Sequence, residues 1–244
     1  VIRGEEWLPS APLHGLFYRA FGWDHPVFAH LPLILKPTGN GKLSKRDGDA
    51  GGFPVFPTNW TDPKSGDTWP GYREQGYAPV AFVNMLLMLG WNPGDERELF
   101  FAEEAAKEFS LDRVVKSGAR FNPDKAKWFQ EQHLRGSGSA PHVAALHKLA
   151  SDKGLGWDEA ACTKVLDMML ERVTFLHDIV DTAWLHATPT DFNAKLVKKK
   201  WKDQTSEYLE DLASELAGLE DFSSEAVETR FKAFLEAKEL GFGQ

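Results

Sequence analysis

The chain is poor in cysteine: Cys162 is the only one in 244 residues. A single thiol excludes an internal disulfide framework and a thiolate zinc cluster, and it suits a reducing, cytoplasmic setting. Long apolar runs are missing as well. The best candidate, Phe82 to Leu89, falls far short of the roughly 20 residues of a membrane span, so no membrane partner is expected. No basic n-region with an apolar h-region opens the chain, and nothing suggests export. Basic residues are outnumbered, 28 Lys and Arg against 36 Asp and Glu, for a formal charge of −8. Phosphate affinity comes mainly from clustered cations, so this balance argues against indiscriminate nucleic-acid binding, DNA included. The histidines show no metal-ligand spacing with Cys or carboxylates, and none is expected to be a ligand. No repeat of fixed period is present. Also missing is an initiator Met or helix cap before Val1-Ile2-Arg3-Gly4, which reads as the interior of a strand. The start therefore predicts a piece cut from something longer, and Gly241 to Gln244 likewise stops just after a helix.

What is present falls into three zones. In residues 1–36, β-like runs (Val1 to Arg3 and Leu31 to Leu35) flank a helix that starts at Ser10 with Pro12 just inside. Leu13, Leu16, Phe17 and Ala20 share one face of it. Strand, helix, strand is βαβ material of a parallel sheet, too small to cover a sheet on both faces, so the rest of that sheet is expected upstream. Residues 37–120 open with a polar, Gly-rich loop, Pro37 to Gly48. A Pro, Gly and aromatic-rich segment follows, whose Phe53, Phe56, Trp60, Trp69 and Tyr72 read as staples of an ordered loop rather than a ligand cage. An apolar helix is expected over Ala78–Trp91, closed by Gly90 and Pro93, with shorter pieces at Ala102–Phe109 and Leu111–Val115. From residue 121 the pattern is helical throughout: Pro123–Leu134, a flexible break at Arg135–Ser139, then Ala140–Leu149, Trp157–Glu171, Thr174–Trp184, Asp191–Trp201, Ser206–Leu216 and Ser223–Leu240. Ser223 or Ser224 caps the last. Short loops between amphipathic helices predict a compact bundle.

Lys42-Leu43-Ser44-Lys45-Arg46 is the segment richest in chemistry. Two lysines three apart in a Gly-flanked loop suit a polyphosphate, because lysine is a mobile point charge and glycine lets backbone approach closely. Such cations stabilise charge developing in nucleotidyl transfer. Alone, the pattern is a weak signal and reads first as a solvated surface loop. The cluster Lys195, Lys198, Lys199, Lys200 and Lys202 reads first as a solvated helix face, with attraction to an RNA backbone as the alternative.

In context the loop resembles the "KMSKS" loop of class I aminoacyl-tRNA synthetases, and the chain is closely similar to bacterial-type glutamyl-tRNA synthetases. Val1 to Leu8, Ser10, Pro12 to His14 and Tyr18 to Trp23 match that family's strand and helix. The match continues through Phe82-Val83-Asn84, Leu89-Gly90-Trp91, Arg120-Phe121-Asn122 and Lys125 to Trp128, and fades without vanishing in the third zone. The family's first ATP motif, the "HIGH" signature, is absent, so the chain alone is expected to be inactive. The implied fold is mainly α with a small α/β remnant. It comprises the end of a Rossmann-type catalytic domain (1–36), the KMSKS loop with a stem-contact domain (37–120), and a helical anticodon-binding domain (121–244), incomplete at its end.

The resemblance implies roles position by position. Lys45, with Lys42 and Ser44, would bind the ATP phosphates and help pyrophosphate leave. Arg3 would hold the L-glutamate substrate, since a guanidinium grips a carboxylate with two bonds; the alternative is a structural salt bridge. Glu6 and Trp7 would lie near the ATP ribose and the tRNA 3′-terminal adenosine, the alternatives being a local turn cap and core packing. Backbone around Ile34 would lie near the adenine. Arg172 would read the third anticodon base of tRNA(Glu), against an ordinary surface arginine. Mg2+ would screen the phosphates, held with the missing catalytic half rather than by a protein site here. Because the helical third zone replaces the β-barrels usual in glutaminyl enzymes, the glutamyl architecture is favoured. A non-catalytic tRNA-binding module and an enzyme that also charges the glutamine tRNA are the rivals.

Overall fold

The computed structural model describes residues 1–182, 185–188 and 190–242. It is mostly helical with short strands, and it divides into two compact units, Val1–His186 and Ala187–Gln244.

The first unit opens with strand β1 (Ile2–Gly4), a 3-10 turn (Glu5–Ser10), helix α1 (Ala11–Phe21) and strand β2 (Ala29–Leu31). β1 and β2 are parallel, with Arg3 opposite His30. Gly22, at φ 65°, closes α1 in the left-handed region that its missing Cβ makes accessible. Ser10 does not cap the helix as expected: its hydroxyl donates to the Trp7 carbonyl inside the preceding turn. The expected single strand Leu31–Leu35 is divided. Pro32 lacks the N–H a ladder needs, so β2 ends at Leu31 and a separate strand, β3 (Ile34–Leu35), pairs elsewhere. α1 buries none of its residues, and Leu13, Leu16 and Phe17 are exposed.

After β3 the chain turns through Gly39 and Gly41, both at positive φ, and Leu43 N–H returns to the Ile34 carbonyl at 2.8 Å. Helix α2 (Lys45–Gly51) follows where a loop was expected. Asp47 reaches back to accept the Ser44 amide at 2.9 Å, the returning half of a capping box, which explains why the helix starts there. Strands β4 (Trp60–Thr61) and β5 (Thr68–Trp69) form an antiparallel hairpin. Gly71 lets the end of that hairpin touch its beginning, because a Cβ there would lie 2.1 Å from the Thr58 carbonyl carbon.

Helix α3 (Pro79–Met88) ends before Trp91, which packs in a small core with Phe100 and Ala105 instead of continuing the helix. Helix α4 (Ala102–Glu108) and a 3-10 turn (Leu111–Arg113) lead to strand β6 (Ala119–Arg120), parallel to β3. Helix α5 (Pro123–Gly136) starts at the Asn122 cap and absorbs Arg135 and Gly136, so the expected break begins at Ser137. α5 packs against α3 and carries Phe129 into a core with Tyr72, Tyr77, Met85 and Phe121. Helices α6 (Val143–Asp152), α7 (Glu159–Met169) and α8 (Leu176–Asp181) surround a second core of Leu146, Cys162, Leu166 and Ile179. α8 is shorter than the expected Thr174–Trp184, whose last two residues lie outside the described ones.

The second unit holds α9 (Ala194–Lys200), α10 (Thr205–Ala217) and α11 (Ser224–Ala237). Ser223, the expected cap, accepts the Ala226 amide at 3.3 Å. No helix is long and apolar enough to cross a membrane among the described residues.

Candidate functional site

Parallel strands present ligands at their carboxyl ends, and most chemistry-bearing residues of the first unit lie in or follow such strands in the chain. Arg3 lies in β1 and Glu6 and Trp7 in the turn that follows it. Ile34 lies in β3, and Lys42 to Arg46 just after it. Lys42 Nζ meets Glu6 Oε1 at 2.8 Å, which ties the two segments together. That hydrogen bond holds the Glu6 carboxyl below the ordinary carboxylate range. Glu6 thus pairs with the basic loop, and a hydrogen bond from its own backbone amide adds to the lowering.

Arg3 is held by two imidazole rings and a phenyl ring. Its Nε donates to His30 Nε2 at 3.0 Å, its Nη1 lies 2.8 Å from His14 Nδ1, and its guanidinium carbon sits 4.4 Å from the centre of the Phe28 ring. Nη2 is buried without a partner, and Arg3 forms no carboxylate pair among the described residues. The expected alternative, a structural salt bridge, is therefore not what this strand end contains. The guanidinium lines an open cleft of about 330 Å³ with Val1, His14, Phe17, Tyr18 and Phe28. A fixed, partly orphaned guanidinium is suited to a bidentate carboxylate. Trp7 is exposed, not core, with its ring 6.2 Å from that of His14. The Ile34 carbonyl is engaged by the Leu43 amide.

Arg120 fastens the turn before the loop, donating from Nη1 to the Lys36 and Gly39 carbonyls at 2.9 and 2.8 Å. Lys36 approaches Asp47 at 3.9 Å. The Ser44 hydroxyl donates to Asp47 and draws that carboxyl's pKa down.

Lys45 sits in surroundings that the sequence did not reveal. Its ammonium lies 3.6 Å from the centre of the Trp60 ring, 5.1 Å from Trp69 and 5.6 Å from Phe56. Those rings also meet each other, with centres 5.1 Å (Phe56 to Trp60) and 5.3 Å (Trp60 to Trp69) apart. The staple reading holds for Phe53, packed on Phe121, and for buried Tyr72, but Phe56, Trp60 and Trp69 surround a cation. One signal was available: Lys45 and Asp49 are spaced i, i+4, one face of a helix, and Asp49 accepts Trp69 Nε1 at 2.9 Å.

Arg172 is not brought to this cluster. It ends a 3-10 turn (Leu170–Arg172) packed against α5 and α7, exposed and without a charged partner among the described residues. Lys195, Lys198, Lys199 and Lys200 lie on α9 of the second unit, with Lys202 beyond its end. No group of three or more His, Cys, Asp or Glu is placed to hold a metal among the described residues.

Residues 1–128 match the family described as tRNA synthetases class I (E and Q), catalytic domain, and residues 140–244 match an anticodon binding domain. The chain belongs to the class I tRNA synthetases of the E and Q branch. Within that family it is 48% identical to a glutamate–tRNA ligase of Christiangramia forsetii over all of this chain and 48% of that protein. It is 46% identical to one of Flavobacterium johnsoniae, again over the whole chain and 48% of the relative. Among solved structures, a glutamate–tRNA ligase of Elizabethkingia meningosepticum in complex with its amino acid superimposes with a TM-score of 0.93 at 46% identity, covering all of this chain and 48% of the other. The synthetase chain described here thus spans about half the length of the relatives it matches.

Proposed function

We propose that this synthetase chain serves the ATP-dependent attachment of L-glutamate to tRNA(Glu). It would supply the basic ATP loop, one wall of the amino-acid pocket and the anticodon-binding half, in a cytoplasmic protein. In that reaction a glutamate carboxylate oxygen attacks the α-phosphorus of ATP and pyrophosphate leaves. A terminal ribose hydroxyl of the tRNA then attacks the carbonyl of the mixed anhydride and AMP leaves. Neither step needs a covalent enzyme nucleophile, and the protein contributes positioning and charge stabilisation.

The observation that carries this reading is the Lys42–Glu6 contact, which links the turn after β1, the strand that carries Arg3, to the basic loop after β3. Arg3 has a buried, unpaired Nη2, which suits the carboxylate of glutamate. Lys42 and Lys45, on the loop tied to that segment through Glu6, suit the ATP phosphates. Ser44 would add its hydroxyl, and Glu6, Trp7 and backbone at Ile34 would serve the nucleoside parts. Mg2+ would arrive on the nucleotide and neutralise part of the phosphate charge. Arg172, exposed on the helical half, is assigned to the third anticodon base. On this reading the domains are the catalytic end at 1–36, the loop and stem-contact region at 37–120, and the anticodon-binding part from 121.

The test is aminoacylation by the whole encoded protein, with labelled glutamate and separate glutamate and glutamine tRNAs, comparing wild type with Lys45→Ala and Arg172→Gln. Charging of the glutamate tRNA, largely lost in Lys45→Ala and with relaxed third-base preference in Arg172→Gln, is the expected result. No charging by folded wild type would leave a tRNA-binding module instead.

A further inference from the structure

We propose that the β4–β5 hairpin, with Phe56 just before it, is a resting seat for Lys45, in which Phe56, Trp60 and Trp69 hold the ammonium until the ATP phosphates compete for it. The inference rests on the reading that Lys45 serves those phosphates.

The seat is built around the cation. The ammonium faces Trp60 at 3.6 Å with Trp69 and Phe56 behind it, and it has no carboxylate partner among the described residues. Lys42, three residues earlier, is bound by Glu6 at 2.8 Å, so the two lysines of one loop are held by different chemistries. A ring face attracts a cation through its quadrupole but carries no net charge. A carboxylate in that place would repel an arriving polyphosphate; the rings do not. Their hold is also weak enough to lose. At a partly exposed site, cation–π attraction shifts an equilibrium by about two- to fivefold, far less than several charge-assisted bonds to phosphate.

The hairpin does not depend on Lys45 for its own position. Trp69 donates to Asp49 at 2.9 Å, the Gly71 amide donates to Asn59 Oδ1 at 2.9 Å, and the Asn59 amide donates to Glu74 at 2.8 Å. Gly71 permits the backbone contact with Thr58 that closes the segment. The ammonium can therefore leave while the rings stay, which is what a reusable seat requires. α2 also starts at Lys45 itself, so a swing of that side chain needs only its own rotamers and no unwinding.

Because the seat competes with nucleotide for Lys45, weakening it makes ATP bind more readily without altering the chemical step. The experiment is steady-state charging of tRNA by the whole encoded protein at varied ATP. Wild type is compared with Trp60→Leu, Trp60→Phe and Lys45→Ala. The expected result is an ATP KM lowered about two- to fivefold in Trp60→Leu with kcat little changed, and a KM near wild type in Trp60→Phe, which keeps a ring. A series of fluorinated tryptophans at position 60 weakens the ring's negative face without changing its shape, so it tests the idea even where Trp60→Leu folds poorly. KM should fall stepwise along that series. A KM that stays flat or rises across these substitutions, with Lys45→Ala inactive, overturns the seat alone. Full activity and unchanged ATP KM in Lys45→Ala overturn the phosphate role of Lys45, and the seat with it.

Discussion

Asn84 is 1% exposed, and it is the junction of a buried polar network. Its Oδ1 accepts the Phe100 amide at 2.9 Å and His133 Nε2 at 2.8 Å, and its Nδ2 donates to the Glu98 carbonyl at 2.8 Å. The junction joins α3 to α5 and to the segment before α4. Asn84→Ala removes three hydrogen bonds at once. The Glu98 carbonyl, on a half-buried residue, can recover water. The Phe100 amide and the His133 ring, both buried, cannot easily do so. An unsatisfied buried group costs about 1–3 kcal/mol, so two of them give a loss of about 3 kcal/mol, with the missing side-chain volume adding to it. At a urea m value of about 2 kcal/mol per M, the unfolding midpoint should fall by roughly 1.5 M. Asn84→Leu, close in volume, should be nearly as costly, because the loss is polar and not steric. In a double-mutant cycle, His133→Ala should cost about 1 kcal/mol less in the Asn84→Ala background than in wild type, since the partner is already gone. A shift in midpoint below about 0.3 M for Asn84→Ala, or no coupling to His133, would refute the argument that this network fastens the two helices.

Further outcomes follow from other sites. Burial lowers the pKa of His133, and that of His142, below the ordinary 6.5, so the unfolded chain binds more protons than the folded one as pH falls through that value. Stability should therefore decline below about pH 6.5, and thermal melts of His133→Gln should lose part of that slope; an unchanged slope would exclude His133 as a source. Asp47→Ala frees the Ser44 amide at the start of α2 and should raise amide exchange in 45–51 while leaving α5 protected. Cys162 is fully buried in the α6–α8 core, so a thiol reagent should label it only as fast as that core opens, and rapid labelling of native protein would contradict its placement. Gly71→Ala puts a Cβ against Thr58 backbone and should destabilise the hairpin by about 1–3 kcal/mol, readable as protease cleavage within 56–72.

Much of this architecture was legible because the signals were local. Pro123 behind Asn122 and Ser223 before an apolar stripe mark helix starts that the structure keeps, and the 3.6 period located the helical half. The misses have physical causes. Leu31 to Leu35 reads as one buried strand, but Pro32 cannot donate to a ladder, and the two halves find partners from residues 1–4 and 119–120, far apart in sequence. The start of α2 reads as part of the polar, Gly-rich loop Pro37 to Gly48, and Gly48 and Gly51 do depress helix propensity. Yet Gly48 is needed there: a Cβ would come within 2.5 Å of Val55. The capping signature Ser44-x-x-Asp47 outweighs those glycines and was available to read. In the candidate site, Arg3, Glu6 and the loop lysines were legible by motif, but their neighbours were not. The His14 and His30 rings on Arg3 are tertiary contacts that no spacing announces, and for the three rings on Lys45 the i, i+4 pair Lys45 and Asp49 was the one local signal.

The loop's cations show why its resting contacts take the form they do. Lys36, Lys42, Lys45 and Arg46 fall within eleven residues that contain no acid, so without partners they would repel one another. Lys42 is neutralised by Glu6 and Lys36 leans on Asp47, both from outside that stretch. Exposed pairs of this kind are worth about 0–1 kcal/mol each, enough to order the loop and too little to lock it. A ligand with several phosphate charges can replace such partners one at a time, gaining a stronger bond at each exchange. A single strong clamp, such as a buried bidentate carboxylate, would hold the loop better and surrender it worse. Lys45 is the extreme case, because its partner bears no charge at all. On the proposed function, the residue closest to the chemistry leaves a ring face and not a paired carboxylate, while Asp49 stays engaged by Trp69 Nε1.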